Sequence, residues 1–154
     1  MRILVFGGTG MLGHKLVQVL GRRFEVWTTI RTSFTDAERY GIFDRERTIA
    51  EVDVLSDEAL KAALSATQPD VVINAVGVIK QAPEAKDPVT TLRINTLFPL
   101  RLASMVSERG SRFISVSTDC VFSGRKGNYS ESDEPDARDL YGLSKLLGEV
   151  KAGN

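Results

Sequence analysis

Cysteine and histidine are nearly missing from this chain of 154 residues, with one of each, Cys120 and His14. A single cysteine excludes an internal disulfide framework and any multi-cysteine metal site. One histidine with no cysteine beside it cannot build a metal centre, so none is expected. Cys120 also lacks an evident histidine base and is not read as a nucleophile; His14 is read as a surface residue. Net charge is missing too, because 20 Lys and Arg balance 20 Asp and Glu. That balance argues against a generic nucleic-acid or membrane-surface binder but leaves room for a local basic pocket. No apolar stretch approaches the length that spans a bilayer. The apolar run at residues 3–6 is too short for a signal-peptide core and runs into glycines. The simplest reading is a cytoplasmic protein with neither nucleic acid nor membrane as partner. What is present, 42% hydrophobic and 26% charged residues, suits one globular domain with a real core.

The most informative segment is the first. Arg2-Ile3-Leu4-Val5-Phe6 has the length and apolarity of a strand, and Gly7-Gly8-Thr9-Gly10-Met11-Leu12-Gly13 follows it directly. Leu12, Leu16, Val19 and Leu20 then recur at helical spacing. Strand, glycine turn and helix is the physical design of a pyrophosphate site. The early glycines let the backbone approach the phosphates, and the last lets the helix pack close to the sheet. The helix N-terminus offers free N–H groups and a partial positive charge. Read alone, the same segment also fits an ordinary glycine-rich strand–helix turn.

Strand and helix patterns alternate along the rest of the chain. Strands are expected at residues 2–6, 25–30, about 48–52, 70–76 and 112–117. The runs at 71–76 and 113–116 are nearly continuous apolar, as in a sheet covered on both faces. A helix is expected at 57–66, with Ser56 as N-cap and Asp57 and Glu58 in its first turn. Another starts near Pro88, runs to about Arg109, is kinked by Pro99 and stops at Gly110. A short helix is expected around Asp36–Tyr40, and a last one includes Tyr141 to Val150. This order implies right-handed crossovers and an α/β, doubly wound parallel sheet of Rossmann type with about five strands. The polar stretch at 123–139 fits a substrate loop and a solvated surface loop equally.

Two later segments carry chemistry. Ser115-Val116-Ser117-Thr118-Asp119-Cys120-Val121-Phe122-Ser123-Gly124 places hydroxyls at the carboxyl end of an expected central strand. Tyr141-Gly142-Leu143-Ser144-Lys145 puts a phenol and an ammonium one helical turn apart on one face. A nearby ammonium favours the phenolate, which suits a general acid or base for a carbonyl and alcohol pair. Taken alone, a tyrosine and lysine at this spacing are more often a surface pair. Asp119 has two equal readings, a substrate contact or a loop cap. After the second strand, Val26-Trp27-Thr28-Thr29-Ile30-Arg31 holds no acid for a ribose 2′-hydroxyl. Arg31 stands there instead, either facing a 2′-phosphate or as a loop arginine without a ligand.

Together these segments resemble the extended short-chain dehydrogenase/reductase family, closest to its dTDP-4-dehydrorhamnose reductase branch. The residues that carry the resemblance are Gly7 to Gly13, Asn74-Ala75-Val76-Gly77, Asn95, Ser117 to Gly124 and Tyr141 to Lys145. The branch usually has tyrosine where Cys120 stands. The resemblance implies an NAD(P)-dependent oxidoreductase that reduces a nucleotide-linked 4-keto sugar by hydride transfer. It implies Tyr141 as proton donor, Lys145 as the residue that lowers its pKa and holds the nicotinamide ribose, and Thr118 as the hydroxyl that orients the carbonyl. It implies a cofactor site from Gly7, Gly10, Met11, Leu12 and Gly13 at the pyrophosphate, with Asp53 and Val54 at the adenine. Ala75, Val76 and Gly77 would line the cofactor beyond the fourth strand. Asp119 and Val121 are carried over as substrate contacts. NADP(H) is the expected cofactor because of Arg31, with NAD(H) as the second choice.

The family is longer than 154 residues and continues into a portion that grips the sugar nucleotide. The resemblance therefore implies one NAD(P)-binding domain over 1–154 with its C-terminal substrate portion missing. A five-stranded sheet left so would expose an edge and an apolar helix face, inviting a homo-oligomer. Two other readings stand beside the reductase: an epimerase or dehydratase of sugar nucleotides, and a dinucleotide-binding module without turnover.

Overall fold

The alternation of elements is realised as a single five-stranded parallel sheet in a computed structural model that describes residues 1–150. The strands are β1 (Arg2–Phe6), β2 (Glu25–Thr29), β3 (Thr48–Ile49), β4 (Val71–Asn74) and β5 (Arg112–Ser115), in the spatial order β3-β2-β1-β4-β5. The helices are α1 (Met11–Leu20), α2 (Phe34–Glu38), α3 (Asp57–Thr67), α4 (Pro88–Leu92), α5 (Phe98–Ser107) and α6 (Leu140–Leu147). The chain forms two units, Met1–Val76 with Leu102–Val116, and Gly77–Arg101 with the residues from Ser117 onward. The first unit contains the whole sheet.

Within the first unit, strand alternation divides the core in two. Ile3, Val5, Val26, Val71 and Ile73 point to one face, where Leu16, Val17, Leu20 and Phe24 cover them. Leu4, Phe6 and Val72 point to the other and are fully buried. The chain steps from β1 to β2 to β3 in one direction and then back across to β4. Right-handed crossovers therefore put α1 and α3 on opposite faces, and Leu60 and Leu64 of α3 are fully buried. Phe6 pairs with Thr29 on one side and Asn74 on the other, so the carboxyl ends of β1, β2 and β4 lie level. The loops at 7–10, 30–32 and 75–76 all leave from that end, and the strand order reverses between β1 and β4. Such a reversal is where open α/β sheets bind ligands.

Several sequence expectations change in detail. The seam of α1 runs through Gly13, Leu16, Val17 and Leu20, whereas Leu12 and Val19 are 40% and 55% exposed. Close approach of α1 to the glycine turn demands the smallest residue on the sheet side, and that rotates the helix. Strand β3 holds two residues instead of five, because Glu51 takes φ +57 and interrupts the pairing before Val52 rejoins Ile30. Strand β5 is the edge of the sheet, not a central strand, and its residues alternate between exposed and half-buried. Helix α2 starts at Phe34, two residues before Asp36, because the Ser33 hydroxyl accepts the Asp36 N–H and fixes the start. Gly110, at φ +68, ends α5 as expected.

In the second unit, the expected kinked helix is instead two α-segments joined by a π-turn, Arg93–Leu97. Pro99 has no N–H for the carbonyl of Asn95 four residues back. The ladder shifts by one, and the Phe98 N–H bonds to the Arg93 carbonyl. The wider turn carries Asn95, which is 2% exposed and fully hydrogen-bonded. Its Oδ1 accepts the Val78 N–H at 2.8 Å, and its Nδ2 donates to the Val78 carbonyl at 3.0 Å and the Ser144 hydroxyl at 3.1 Å. The Thr96 hydroxyl donates to the Ser144 carbonyl at 2.7 Å. The π-turn thus ties the start of the segment after Gly77 to α6. The last helix stops at Leu147 and not at Val150. Gly148 closes it, packed so tightly that a Cβ there would lie 2.0 Å from the Asn95 carbonyl oxygen.

Asn95→Ala should therefore be among the most damaging substitutions in the chain. It takes the amide partner from the buried Val78 N–H and carbonyl and from the Ser144 hydroxyl, which keeps its bond to the Tyr141 carbonyl; each buried group left unpaired costs about 1–3 kcal/mol. The expected loss is about 3 kcal/mol or more, read as a lower denaturation midpoint at unchanged slope. A loss under about 1 kcal/mol would show that the amide is not the tie described.

Candidate functional site

The glycine turn occupies the carboxyl end of β1. The Gly8 N–H bonds to the Thr29 carbonyl at 2.9 Å, and the Gly10 N–H turns back to the Gly7 carbonyl at 3.0 Å. A Cβ on Gly13 would lie 2.0 Å from the Gly7 carbonyl oxygen, so the chain's own backbone requires glycine there. Gly10 differs. It has an ordinary extended backbone at φ −71 and ψ 163, and a Cβ would meet the Gly7 oxygen at 3.2 Å and the Ala75 oxygen at 3.9 Å. Its small size is not demanded by severe internal crowding, which fits close approach by a ligand.

The start of α1 is unlike those of α2, α3, α4 and α6, while α5 continues from the π-turn. Ser33, Ser56, Asp87 and Asp139 cap α2, α3, α4 and α6 with a side-chain oxygen. Gly10 gives α1 no side-chain cap, and its first turn holds no acid. The first N–H groups of α1, those of Met11 and Leu12, precede the first helical bond, from the His14 N–H to the Gly10 carbonyl. The His14 ring also stays at this turn, with Nδ1 2.9 Å from the Gly10 carbonyl oxygen.

The remaining expected cofactor residues of the first unit lie in loops from the same end of the sheet. Arg31 is exposed just after β2, beside Thr32, whose carbonyl accepts the Glu51 N–H at 3.1 Å. Asp53 is exposed and its Oδ1 accepts the Leu55 N–H at 2.9 Å; Val54 is half-buried. Ala75 bonds to the Phe6 carbonyl at 3.1 Å, and the Val76 N–H reaches Asn74 Oδ1 at 2.9 Å.

In the second unit, Tyr141 and Lys145 lie one turn apart on α6, both partly buried. Burial pulls the Lys145 ammonium below the ordinary lysine pKa, and the Glu149 carboxylate pushes it back up. Its Nζ lies 4.0 Å from where a Gly77 Cβ would stand. Thr118 caps the short turn Asp119–Val121, accepting the Cys120 N–H at 3.2 Å and donating to Asp119 Oδ1 at 3.3 Å. The capping suggested for Asp119 thus falls to Thr118. Val121 is 5% exposed, and its carbonyl accepts the Asp136 and Ala137 N–H groups. The side chain packs inward while the backbone holds the 123–139 loop.

That loop is closely tied. Ser123 bonds to Asp136 through both its N–H and its hydroxyl, Phe122 stacks on Tyr129 at 4.4 Å, and Lys126 pairs with Asp133. The Lys126 ammonium, followed by the Ser130 N–H, lowers the Asp133 pKa to about 2.

A model of the RmlD substrate binding domain matches residues 1–153. The chain belongs to that family. Over 151 residues it is 30% identical to the dTDP-4-dehydrorhamnose reductase of Burkholderia thailandensis, covering 97% of this chain and 45% of that protein. Over 149 residues it is 30% identical to methionine adenosyltransferase 2 subunit beta of Danio rerio, covering 96% of this chain and 42% of that protein. The crystal structure of a hypothetical dTDP-4-dehydrorhamnose reductase from Sulfolobus tokodaii matches with a TM-score of 0.81 and 30% identity, over 96% of this chain and 50% of that one. Two solved structures at 21% identity share the fold of this RmlD-family chain: one from Bacillus anthracis is in complex with NADP, and WbmG from Bordetella bronchiseptica is in complex with NAD. The chain spans about half the length of the curated relatives it matches.

Two residues escaped the sequence reading of this RmlD-family chain. Lys80 lies over the Tyr141 ring, with Nζ 5.5 Å from its centroid, and Asp139 caps α6 through the Gly142 N–H. An aspartate two residues before the tyrosine was a readable cap. Nothing in the sequence pointed to Lys80.

The two glycines separate packing from binding. Gly13→Ala should cost about 1–3 kcal/mol of stability, because backbone must move to admit the methyl. Gly10→Ala should keep the fold by circular dichroism and weaken a nicotinamide dinucleotide about tenfold or more in a fluorescence titration. Unchanged dinucleotide affinity in folded Gly10→Ala would remove the phosphate role from this turn.

Proposed function

We propose that this chain is the dinucleotide-binding and proton-donating part of a reductase of nucleotide-linked 4-keto sugars. The observation that carries the reading is the uncapped, acid-free start of α1 behind a glycine turn, in a chain of the RmlD family. The residues fit a dinucleotide. A Cβ on Gly10 would meet nothing closer than the backbone oxygens of Gly7 at 3.2 Å and Ala75 at 3.9 Å, and Gly77 is exposed with no contact to a Cβ shorter than 3.4 Å.

When bound, the nicotinamide would supply the hydride. Gly7, Gly10, Gly13 and the backbone of Met11 and Leu12 would hold the pyrophosphate. Asp53, Val54, Ala75, Val76 and Gly77 would line the rest of the dinucleotide. Tyr141 would give its phenolic proton to the developing alkoxide of the substrate. Lys145 would stabilise the phenolate left behind and bond to the ribose, its ammonium partly desolvated by burial. Thr118 would turn its hydroxyl from Asp119 to the substrate carbonyl, and Asp119 would meet the sugar. The buried Val121 side chain would serve that contact by fixing the loop backbone.

A second reading has one observation in its favour, the 30% identity to a methionine adenosyltransferase subunit. On that reading the chain binds a dinucleotide and a protein partner without turnover. NADPH binding with no reduction of any nucleotide-linked keto sugar would favour it.

Arg31 would hold a 2′-phosphate, so NADPH should bind more tightly than NADH. A charge-assisted contact of about 1.5–3 kcal/mol predicts a preference of about tenfold or more. Arg31→Ala should remove most of it, as read by calorimetric titration, and equal affinities in the parent would count against the assignment.

Tyr141→Phe should lower the reduction rate by about two to four orders of magnitude and leave cofactor affinity nearly unchanged. Thr118→Val should cost less rate, and Lys145→Ala should damage both rate and affinity. Steady-state kinetics on whichever length of the protein turns over would check this order, and full activity in Tyr141→Phe would sink the mechanism.

A further inference from the structure

One carboxylate in the second unit does two jobs. Asp139 Oδ1 accepts the Gly142 N–H at 3.0 Å and so caps α6. Asp139 Oδ2 accepts the Lys80 ammonium at 3.2 Å. Lys80 comes from the segment after Gly77, 59 residues away in sequence, and its Nζ stands 5.5 Å from the centre of the Tyr141 ring. That distance is within the range of a cation–π contact.

We propose that Lys80 and Asp139 form a clamp that positions the Tyr141 ring. The backbone of the tyrosine is already fixed: a Cβ on Gly142 would lie 2.3 Å from the Cys120 carbonyl oxygen, so the first turn of α6 cannot slide toward it. The ring itself is only half-buried, and its orientation needs a further contact. Lys80 supplies that contact on the ring face, and Asp139 keeps Lys80 in place. Both partners stay charged at neutral pH. The Asp139 hydrogen bond raises Lys80 above the ordinary lysine pKa, and the Gly142 N–H, then Lys80, lowers Asp139 below the ordinary aspartate value.

The clamp is a positioning device and not a source of stability. The two side chains are 45% and 55% exposed, and an ion pair open to water contributes little to folding. Lys80 is thus a positioning residue for Tyr141, and its functional weight rests on the proposed role of Tyr141 as proton donor.

The test needs no turnover, so its failure is separate from failure of the reductase reading. Tyrosine-ring 13C relaxation on the 154-residue chain would report the order of Tyr141, with Tyr40 and Tyr129 as internal references. Lys80→Met should lower the Tyr141 ring order from rigid to below about 0.6 while Tm moves by no more than about 2 °C. Lys80→Arg should restore the order, because a guanidinium can keep both contacts. Asp139→Asn should also loosen the ring while keeping the helix cap, since asparagine caps as well as aspartate. If Lys80→Met does not fold, Asp139→Asn decides. An unchanged Tyr141 ring order in folded Lys80→Met or Asp139→Asn overturns the clamp. So does a loosened ring that Lys80→Arg leaves loose.

Discussion

The sheet unit depends on one close approach, the Gly7 carbonyl oxygen against Gly13. A side chain at residue 13 would collide with that oxygen at 2.0 Å. The contact determines which residues of α1 face the sheet, since the seam must pass through the smallest one. Leu16, Val17 and Leu20 follow at helical spacing and cover Ile3, Val5 and Ile73. It also determines the tightness of the turn, so the first N–H groups of α1 stay near the carboxyl end of β1. Packing and anion-binding geometry therefore share a cause. The residue that lets the helix touch the sheet also brings its positive end to the strand terminus where the chain order reverses.

The second unit is organised by a missing donor. Pro99 cannot serve the Asn95 carbonyl, and the ladder opens into a π-turn instead of a simple kink. Asn95 then sits where its amide spans Val78 and Ser144, while its own carbonyl is approached by Gly148. A polar side chain can be buried there because both N–H groups of the amide and its oxygen have partners. The result is specific: the segment after Gly77 and the helix bearing Tyr141 have one register relative to each other.

Features set by neighbouring residues were legible in the sequence. The strand at Arg2–Phe6, the Ser56 cap, the Gly110 stop and the parallel alternation follow from local pattern and turn chemistry, and the structure has them. Features set by contacts distant in sequence were not. Leu12 and Val19 matched the helical period but lost their place on the seam to Gly13, a contact decided by Gly7. Strand β5 has the apolar pattern of a covered strand, yet its place at the edge depends on sheet order. The kink at Pro99 was readable; its conversion into a π-turn requires knowing that Asn95 has partners at residues 78 and 144. At the site, Tyr141 and Lys145 were visible as a pair on one helical face. Lys80 was not, because it reaches the ring from another segment and carries no motif.

The two lysines of the second unit differ in what they can give a phenol. Lys80 is exposed, water screens its field, and the Asp139 carboxylate beside it cancels most of its charge. It can hold a ring in place but can do little for a proton transfer. Lys145 is half-buried, and the Glu149 carboxylate acts on it only as the lesser influence. Partial burial desolvates its ammonium and so lowers its pKa, and a negative group formed beside it would offset that desolvation. In a less polarisable setting each elementary charge acts more strongly on its neighbour. In the proposed reaction the phenolate of Tyr141 would be that negative group. Position and charge compensation are therefore assigned to different residues, an exposed lysine held by Asp139 and a half-buried one on the tyrosine's own helix.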